Sequence, residues 1–238
     1  AKIVLKQNCK DFFIAHSVYS HRAFLMKVRK KSHAVFCHLG FTIYKQYKNY
    51  DNSWCFIKKN KFANICKNLT KKKIDKYWSD RLSGKGNYVD SRIASIIKTK
   101  KTFKNLNYDN VIFLHIFRDS PYADIDPSRI FVDYSQWIEH TLKTIALSDE
   151  NWTLRLHPSY KRWGENQYLA LNKIINQTFN KFPKNIFLDD NLTSNNEVFK
   201  RAKRVVTFNG TSHLEAACYG IKSIIISDAM LSKLDNKL

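Results

Sequence analysis

Short apolar runs alternate along the chain with segments whose apolar residues recur every three or four positions. Such alternation predicts strands joined by helices, and therefore an α/β fold built on parallel sheets. An apolar run at 11–15, a basic helical stretch at 20–31 and a second run at 34–38 predict one β-α-β unit, with another strand at 54–57. Residues 110–117 (NVIFLHIF) are the clearest buried strand. Beyond them the pattern predicts helices at 130–147, 168–182, 197–202 and 213–219 and strands at 152–156, 186–188, 204–208 and 223–227.

The middle of the chain passes from a basic helical pattern to a linker composition. Residues 58–76 are rich in lysine and place apolar side chains at helical spacing, which predicts an amphipathic helix. Residues 79–87 (SDRLSGKGN) have the composition of a linker. We therefore predict two Rossmann-like domains, at residues 1–95 and 105–238.

Composition and charge narrow the class of protein. The chain has 238 residues, a formal net charge of +21 and five cysteines, an odd number without a C-x-x-C pair. These values predict a reduced, cytoplasmic protein rather than a disulfide framework or a zinc ribbon. The charge predicts an anionic partner, which is nucleic acid, an acidic membrane surface, or a phosphorylated or acidic small molecule. No stretch is long and apolar enough to predict a transmembrane helix.

The strongest candidate site is the strand–turn–helix–strand segment at residues 204–227. Its turn, NGTS, would present backbone N–H groups and hydroxyls to an anion, and Glu215 follows one helical turn later. The predicted binding residues are Asn209, Gly210, Thr211, Ser212 and Glu215. The alternative is a capping box, in which Ser212 and Glu215 satisfy each other's backbone donors. Because the two arrangements can coexist, the spacing leaves both open.

A second candidate is Arg155-Leu156-His157-Pro158, which ends a predicted strand. The proline holds His157 extended at the strand's carboxyl edge. A histidine in that place can hydrogen-bond a phosphate or protonate a leaving group near neutral pH. Arg155 beside it adds positive charge and is a further predicted contact to the donor nucleotide. The alternative is an ordinary surface turn.

The polar loop at residues 118–129 concentrates acidic residues in an otherwise basic chain. Asp119 is a candidate general base for an acceptor hydroxyl. Asp124 and Asp126 form a D-x-D pattern that could hold a divalent ion through a diphosphate, whereas the alternative for Asp126 is the cap of a helix.

Other residues at predicted strand ends complete the candidate set. His16 is an alternative base, and the candidate contacts to an acceptor or phosphate are Arg118, Lys161 and His38. The spacing of the N-terminal histidines fits no metal-ligand template, so we predict no metal site and no cofactor.

The segments LRLHPSYKRWG and FNGTSHLEAACYGIKSIII resemble those of bacterial capsule and surface-polysaccharide biosynthesis proteins, which are glycosyltransferases of the two-Rossmann GT-B type. The resemblance covers about half of the chain. Some sialyl- and Kdo-transferases share a His-Pro and a Ser/Thr pair that hold a CMP phosphate, and His157-Pro158 and Thr211-Ser212 match these. The acidic-acidic-Gly motif that supplies the base in several such enzymes is not evident. Residues 15–41 are similar to the late β-α-β of an acceptor domain.

The resemblance implies a metal-independent transfer of a sugar from a CMP- or UDP-linked donor to a growing capsule or lipopolysaccharide glycan. It implies that Thr211 and Ser212 bind the donor phosphate, that Glu215 holds the ribose and that His157 stabilises the leaving group. The expected partners are the nucleotide-sugar, a glycan or lipid-linked acceptor and an anionic membrane surface, and not nucleic acid. Because two full Rossmann domains need more residues, we expect the chain to be a piece of a longer protein with an incomplete acceptor domain.

Two alternatives stay open at this point. A nucleotide-sugar 2-epimerase or a polyol-phosphate transferase uses a related scaffold and similar turns. A basic nucleic-acid-binding module is suggested by the charge and by Tyr44, Tyr47 and Tyr50 among lysines, although no helix-turn-helix, RNA-recognition or zinc motif accompanies them.

Overall fold

The computed structural model describes Lys67 and residues 69–85, 106–117, 130–191, 193–208 and 210–226, together with the backbone of three short strands near the N-terminus. The chain divides into two compact units, Ala1–Asn64 with Asp119–Arg129, and Ile65–Arg118 with Ile130–Leu238. The predicted domain limits at residues 95 and 105 lie outside the described residues and stay predictions.

The first unit contains a three-stranded sheet. Strands β1 (Asp11–Ile14) and β2 (His33–Phe36) pair in parallel, and β3 (Gln46–Tyr47) pairs with β2 in the antiparallel sense. The predicted parallel pair is therefore confirmed, and β3 was not predicted. The predicted helix at 20–31 and strand at 54–57 lie outside the described residues.

The second unit is built on a five-stranded, wholly parallel sheet, which confirms the predicted α/β fold. Its strands are β4 (Asn110–Phe113), β5 (Trp152–Arg155), β6 (Ile186–Asp189), β7 (Arg204–Thr207) and β8 (Lys222–Ile225). The order across the sheet is β6-β5-β4-β7-β8. Strand β4, the first strand of this unit, is thus central. Strands β5 and β6 are added on one side of it and β7 and β8 on the other, so the order of strand addition reverses between β4 and β7. In such sheets, ligands bind at the carboxyl edge near that reversal.

Five helices lie in this unit among the described residues: α1 (Lys71–Leu82), α2 (Tyr134–Ala146), α3 (Gln167–Thr178), α4 (Asn195–Phe199) and α5 (Ser212–Cys218). The predicted helices at 168–182, 197–202 and 213–219 correspond to α3, α4 and α5, with ends that differ by one to four residues. The predicted start of the helix at residue 130 was wrong. Asp133 is the N-cap of α2, where its carboxylate accepts a hydrogen bond from the Gln136 N–H at 2.8 Å.

Helix α1 corrects two predictions about the middle of the chain. Thr70 caps it, and the helix continues to Leu82, so it runs past the predicted end at residue 76 and through the first four residues of the predicted linker. The helix ends at Ser83, and Gly84 follows in the left-handed region with φ of 76°. Local composition misplaced this end because the last turn of α1 is stabilised by a distant ion pair of Arg81.

The core lies on both faces of the five-stranded sheet. Val111 and Val205 are neighbours in register and pack under side chains of α4 and α5. Because side chains alternate along a strand, the other face carries Phe208, whose ring lies 5.3 Å from that of Trp137 in α2. Trp137 is 1 % exposed. Among the described residues, no helix is long and apolar enough to cross a bilayer.

We expect Trp137→Ala to lower the free energy of unfolding by about 3 to 5 kcal/mol, because it removes a large buried ring and leaves a cavity. Trp163→Ala is the matched control, since Trp163 is 54 % exposed. Urea unfolding followed by circular dichroism measures both. Equal losses in the two variants would contradict the placement of Trp137 in the core.

Candidate functional site

The two strongest sequence candidates lie at the same edge of the five-stranded sheet. His157 follows β5 and Gly210 follows β7, and both strands are parallel neighbours of β4. The carboxyl ends of parallel neighbours meet at one edge. The pairing continues past β4, where the Leu114 N–H donates to the Arg155 carbonyl at 2.9 Å. His157 and the Gly210 turn therefore flank the end of β4, at the reversal of strand order where ligands bind.

The imidazole of His157 is half-buried and held in one tautomer. Its Nδ1 accepts a hydrogen bond from the Ser159 N–H at 3.2 Å, so Nδ1 carries no hydrogen and Nε2 does. The Tyr160 N–H donates to the His157 carbonyl. The backbone after β5 therefore forms a turn, as the alternative hypothesis for this segment predicted. In this tautomer Nε2–H is the N–H donor of the ring.

A second histidine, His115, lies beside His157 and was not predicted. The centroids of the two rings are 5.9 Å apart, and the rings are tilted by 43°. Gln167 joins the two segments, because its Nε2 donates to the His115 carbonyl and its Oε1 accepts from the His157 N–H, both at 2.7 Å. The only signal in the sequence was a histidine near the end of an apolar run, and that position was interpreted as part of the strand.

Buried polar side chains form hydrogen bonds with the backbone around His115. The Tyr134 hydroxyl accepts from the His115 N–H, and burial raises the pKa of Tyr134 well above its ordinary value, so the hydroxyl stays protonated. Glu165 is also buried, and its Oε1 accepts from the Phe117 N–H at 3.1 Å. These two hydrogen bonds fix the backbone after β4 at His115 and at Phe117.

The turn after β7 leaves no room for a side chain at Gly210. A Cβ atom there would lie 2.6 Å from the Thr207 Oγ1 and 3.2 Å from the Ser212 Oγ. Instead, the Gly210 N–H donates to the Thr207 Oγ1 at 3.1 Å. The Ser212 side chain lies beside this glycine, with the residue 8 % exposed, and its Oγ has no hydrogen-bond partner among the described residues. A buried hydroxyl in that state calls for a hydrogen-bond partner, which an ordered water or a ligand oxygen would supply.

The capping-box alternative for this turn was wrong. Thr211 occupies the N-cap position of α5 without a side-chain capping bond, and Ser212 is already the first helical residue. The Glu215 carboxylate does not reach back to the start of the helix. It accepts hydrogen bonds from Arg81 and from Asn195 instead.

Arg81 connects α1 to the start of α5 through two partners. Its guanidinium lies 2.8 Å from the Glu215 Oε1, and its Nη2 donates to the Thr211 Oγ1 at 2.9 Å. Both ionic side chains are almost fully buried. Arg81 therefore fixes the Thr211 hydroxyl. No pattern in the sequence indicates this role, because Arg81 is one of 41 Lys and Arg residues.

The predicted donor contact Arg155 lies inside the protein. Its side chain is 1 % exposed and forms an ion pair with Asp189, and its Nε donates to the Asn195 Oδ1 at 3.1 Å. Burial lowers the pKa of Arg155, and the neighbouring Asp189 opposes that change. The Asn195 Nδ2 donates to the Glu215 Oε2, so this one amide joins the two buried ion pairs. The described contacts thus give Arg155 a structural role, and its contact with a donor stays a prediction.

The remaining predicted residues divide into two groups. Lys161 is exposed, and its Nζ lies 3.8 Å from the Asp190 Oδ2. The predicted residues Asp119, His16, Arg118, His38 and Asn209 lie outside the described residues, as do Asp124 and Asp126. Their roles stay predictions.

Comparison of the chain with protein-family models, with curated proteins and with solved structures found no significant match. In the described ranges, no group of three or more His, Cys, Asp or Glu side chains is placed to hold a metal ion.

We expect Asp189→Asn to lower the free energy of unfolding by about 3 to 5 kcal/mol, because it leaves the Arg155 guanidinium buried without its counter-ion. The neighbouring substitution Asp190→Asn is the matched control. It removes a long ion pair with Lys161 at a partly exposed position, and the Tyr160 hydroxyl can still donate to the amide oxygen, so we expect a loss of about 1 kcal/mol or less. Urea unfolding measures both, and similar losses would contradict the role of the Arg155–Asp189 pair.

The burial of His213 predicts that the free energy of unfolding falls in acid. Burial lowers its pKa below the ordinary 6.5, and its Nδ1 lies 2.6 Å from the Gly210 carbonyl oxygen. Below pH 6.5 the unfolded chain therefore takes up a proton that the folded chain does not, and the free energy of unfolding falls. Above that pH both states are neutral, and the effect vanishes.

His213→Asn keeps a donor for the Gly210 carbonyl and removes this titration. We expect the free energy of unfolding to fall less between pH 7 and about pH 5.5 in this variant than in the parent chain. His140→Asn, at an exposed position of α2, is the control. An unchanged pH dependence in His213→Asn would contradict the assignment.

Proposed function

We propose that this chain is part of a metal-independent glycosyltransferase of the GT-B type. It transfers a sugar from a CMP- or UDP-linked donor to a bacterial capsule or lipopolysaccharide glycan. The observation that carries the proposal is the position of His157 and of the Gly210 turn on either side of the end of β4, at the carboxyl edge of one parallel sheet. That edge is where nucleotides bind in such sheets.

The donor phosphate binds between the Gly210 turn and His157. The Ser212 Oγ, which is buried without a partner in the described part of the chain, donates to a phosphate oxygen. The Thr211 Oγ1 already accepts from Arg81, so its hydrogen is free to point elsewhere. Because α5 is a short helix, these hydroxyls rather than a helix dipole support the assignment.

His157 stabilises the leaving nucleotide by hydrogen bonding. Its Nδ1 is occupied as an acceptor, so the neutral ring offers Nε2–H to the phosphate oxygen that carries the developing charge. His115, with its ring 5.9 Å away, lies within reach of the same phosphate. Glu215 acts through Arg81 as a positioning residue for Thr211, and its contact with the ribose stays a prediction.

The reaction breaks the bond between the anomeric carbon and the phosphate oxygen and forms a bond from that carbon to an acceptor hydroxyl oxygen. The nucleotide leaves with the bonding electron pair, and a general base takes the hydroxyl proton. Asp119 and His16 are the candidates for this base.

The exposed lysines of α1 provide a surface for an anionic membrane, at about 1 kcal/mol for each residue that reaches it.

Calorimetric titration with CMP and with UDP tests the donor site. We expect one of the two nucleotides to bind, and His157→Ala and Ser212→Ala each to weaken it by about 10-fold or more, because each removes a hydrogen bond to a charged group. His140→Ala and Ser135→Ala, at exposed positions of α2, are the matched controls and should bind as the parent chain does.

Two results would contradict the proposal. One is the absence of binding for both nucleotides in a folded parent chain. The other is unchanged affinity in both His157→Ala and Ser212→Ala.

A further inference from the structure

A groove of about 490 Å³ opens at the same sheet edge, next to the proposed donor site. Its lining residues come from the turn after His157, from the start of α3 and from the end of β6: Tyr160, Lys161, Gly164, Glu165, Asn166, Tyr168 and Asp190. In the sheet order, β6 lies on the side of β5 that faces away from β7. The groove is therefore a separate place, reached from His157 in the direction opposite to the Gly210 turn. The groove is largely open to solvent, so it would cover one face of a ligand rather than enclose it.

Two tyrosine rings form the apolar part of the groove. The rings of Tyr160 and Tyr168 meet edge to face, with centroids 6.4 Å apart and an angle of 76° between the planes. Tyr160 is buried, and Tyr168 is half-buried. Burial and then the nearby carboxylates raise the pKa of Tyr168 to about 12, so its hydroxyl remains a neutral donor at physiological pH. An aromatic ring that carries a protonated hydroxyl offers both an apolar face and a polar group for hydrogen bonding.

The charges around the groove favour a neutral ligand. Asp190 lies at its rim with a partly exposed carboxylate, and Glu165 lies in its wall. The Lys161 ammonium lies 5.4 Å from the centre of the Tyr160 ring and 3.8 Å from the Asp190 Oδ2, so it faces a carboxylate already. In a chain of net charge +21, this acidic groove is a local exception. An anion would meet two carboxylates and a single ammonium that is already paired with one of them. A neutral hydroxyl group would find an acceptor in the partly exposed Asp190 carboxylate, which also accepts from the Tyr160 hydroxyl.

We propose that this groove binds one neutral pyranose ring of the acceptor glycan, with a C–H face of the sugar against the Tyr168 ring and hydroxyl groups on the Asp190 carboxylate. The assignment to the acceptor rests on the proposed function. The sugar-binding capacity rests only on the groove. Because Tyr160 follows His157 by three residues, a sugar bound here lies close to the place where the leaving phosphate is expected.

Saturation-transfer NMR on the 238-residue chain tests the groove, with the methyl glycosides of glucose, galactose and N-acetylglucosamine as neutral probes. N-acetylneuraminic acid and inorganic phosphate are the anionic probes. We expect at least one neutral glycoside to bind with millimolar affinity and both anions to fail to displace it. The fluorescence of the five tryptophans provides a second readout, because one of them, Trp163, is exposed and adjoins Gly164 of the groove.

Paired variants locate the binding. Tyr168→Ala and Asp190→Asn should each weaken the glycoside at least 5-fold, whereas Tyr168→Phe keeps the ring and most of the affinity. Leu169→Ala, at an exposed neighbour of Tyr168, and Asp149→Asn, at an exposed position before β5, are the matched controls. If Tyr168→Ala does not fold, Asp190→Asn still decides the question.

The proposal is overturned if no neutral glycoside binds at millimolar concentration, if the anions bind better, or if Asp190→Asn binds as the parent chain does. Nucleotide titration of the same sample separates the two proposals. Nucleotide binding without sugar binding would contradict the proposal for the groove alone. Sugar binding without nucleotide binding removes the donor site and leaves a carbohydrate-binding groove.

Discussion

Two buried ion pairs joined by one asparagine hold the carboxyl edge of the sheet together. Arg155 pairs with Asp189, Arg81 pairs with Glu215, and the Asn195 amide bonds to both pairs. Desolvating four charges is costly, so such pairs contribute little net stability when complete, but breaking one leaves a charge buried and unpaired. The network therefore acts as a constraint on geometry. It ties the ends of β5 and β6 to α4, α5 and the end of α1.

That constraint explains why the edge can present small polar groups in fixed places. Arg81 holds the Thr211 hydroxyl, and Gly210 allows the chain to turn closely around Thr207. On the other side of β4, the Gln167 amide holds the His115 and His157 segments together. Each group is oriented before any ligand arrives, which lowers the cost of ordering it on binding. The tyrosine-lined groove lies at the same edge, on the side of His157 opposite to the Gly210 turn.

Local patterns predicted the strands of the sheet and most of its helices, because buried strands such as NVIFLHIF are apolar runs and caps lie close by in sequence. They failed where a distant partner decided the outcome. Ser212 and Glu215 have capping-box spacing, but the Glu215 carboxylate binds Arg81, 134 residues away. The same contact extends α1 beyond its predicted end. His115 was not predicted as a site residue because an apolar run does not indicate which of its residues lies at the end of the strand. Arg155 was predicted to contact the donor at the sheet edge, but its ion-pair and hydrogen-bond partners bury it.

The most direct measurement is a crystal structure of the chain soaked with CMP or UDP. The account predicts the nucleotide phosphate at the carboxyl edge, with oxygens within hydrogen-bond distance of the Ser212 Oγ and of the His157 Nε2. It also predicts that the Arg81–Glu215 and Arg155–Asp189 pairs are unchanged by the ligand, because they already fix the edge. A nucleotide bound elsewhere on the molecule, or a phosphate that touches neither of those two atoms, would contradict the account.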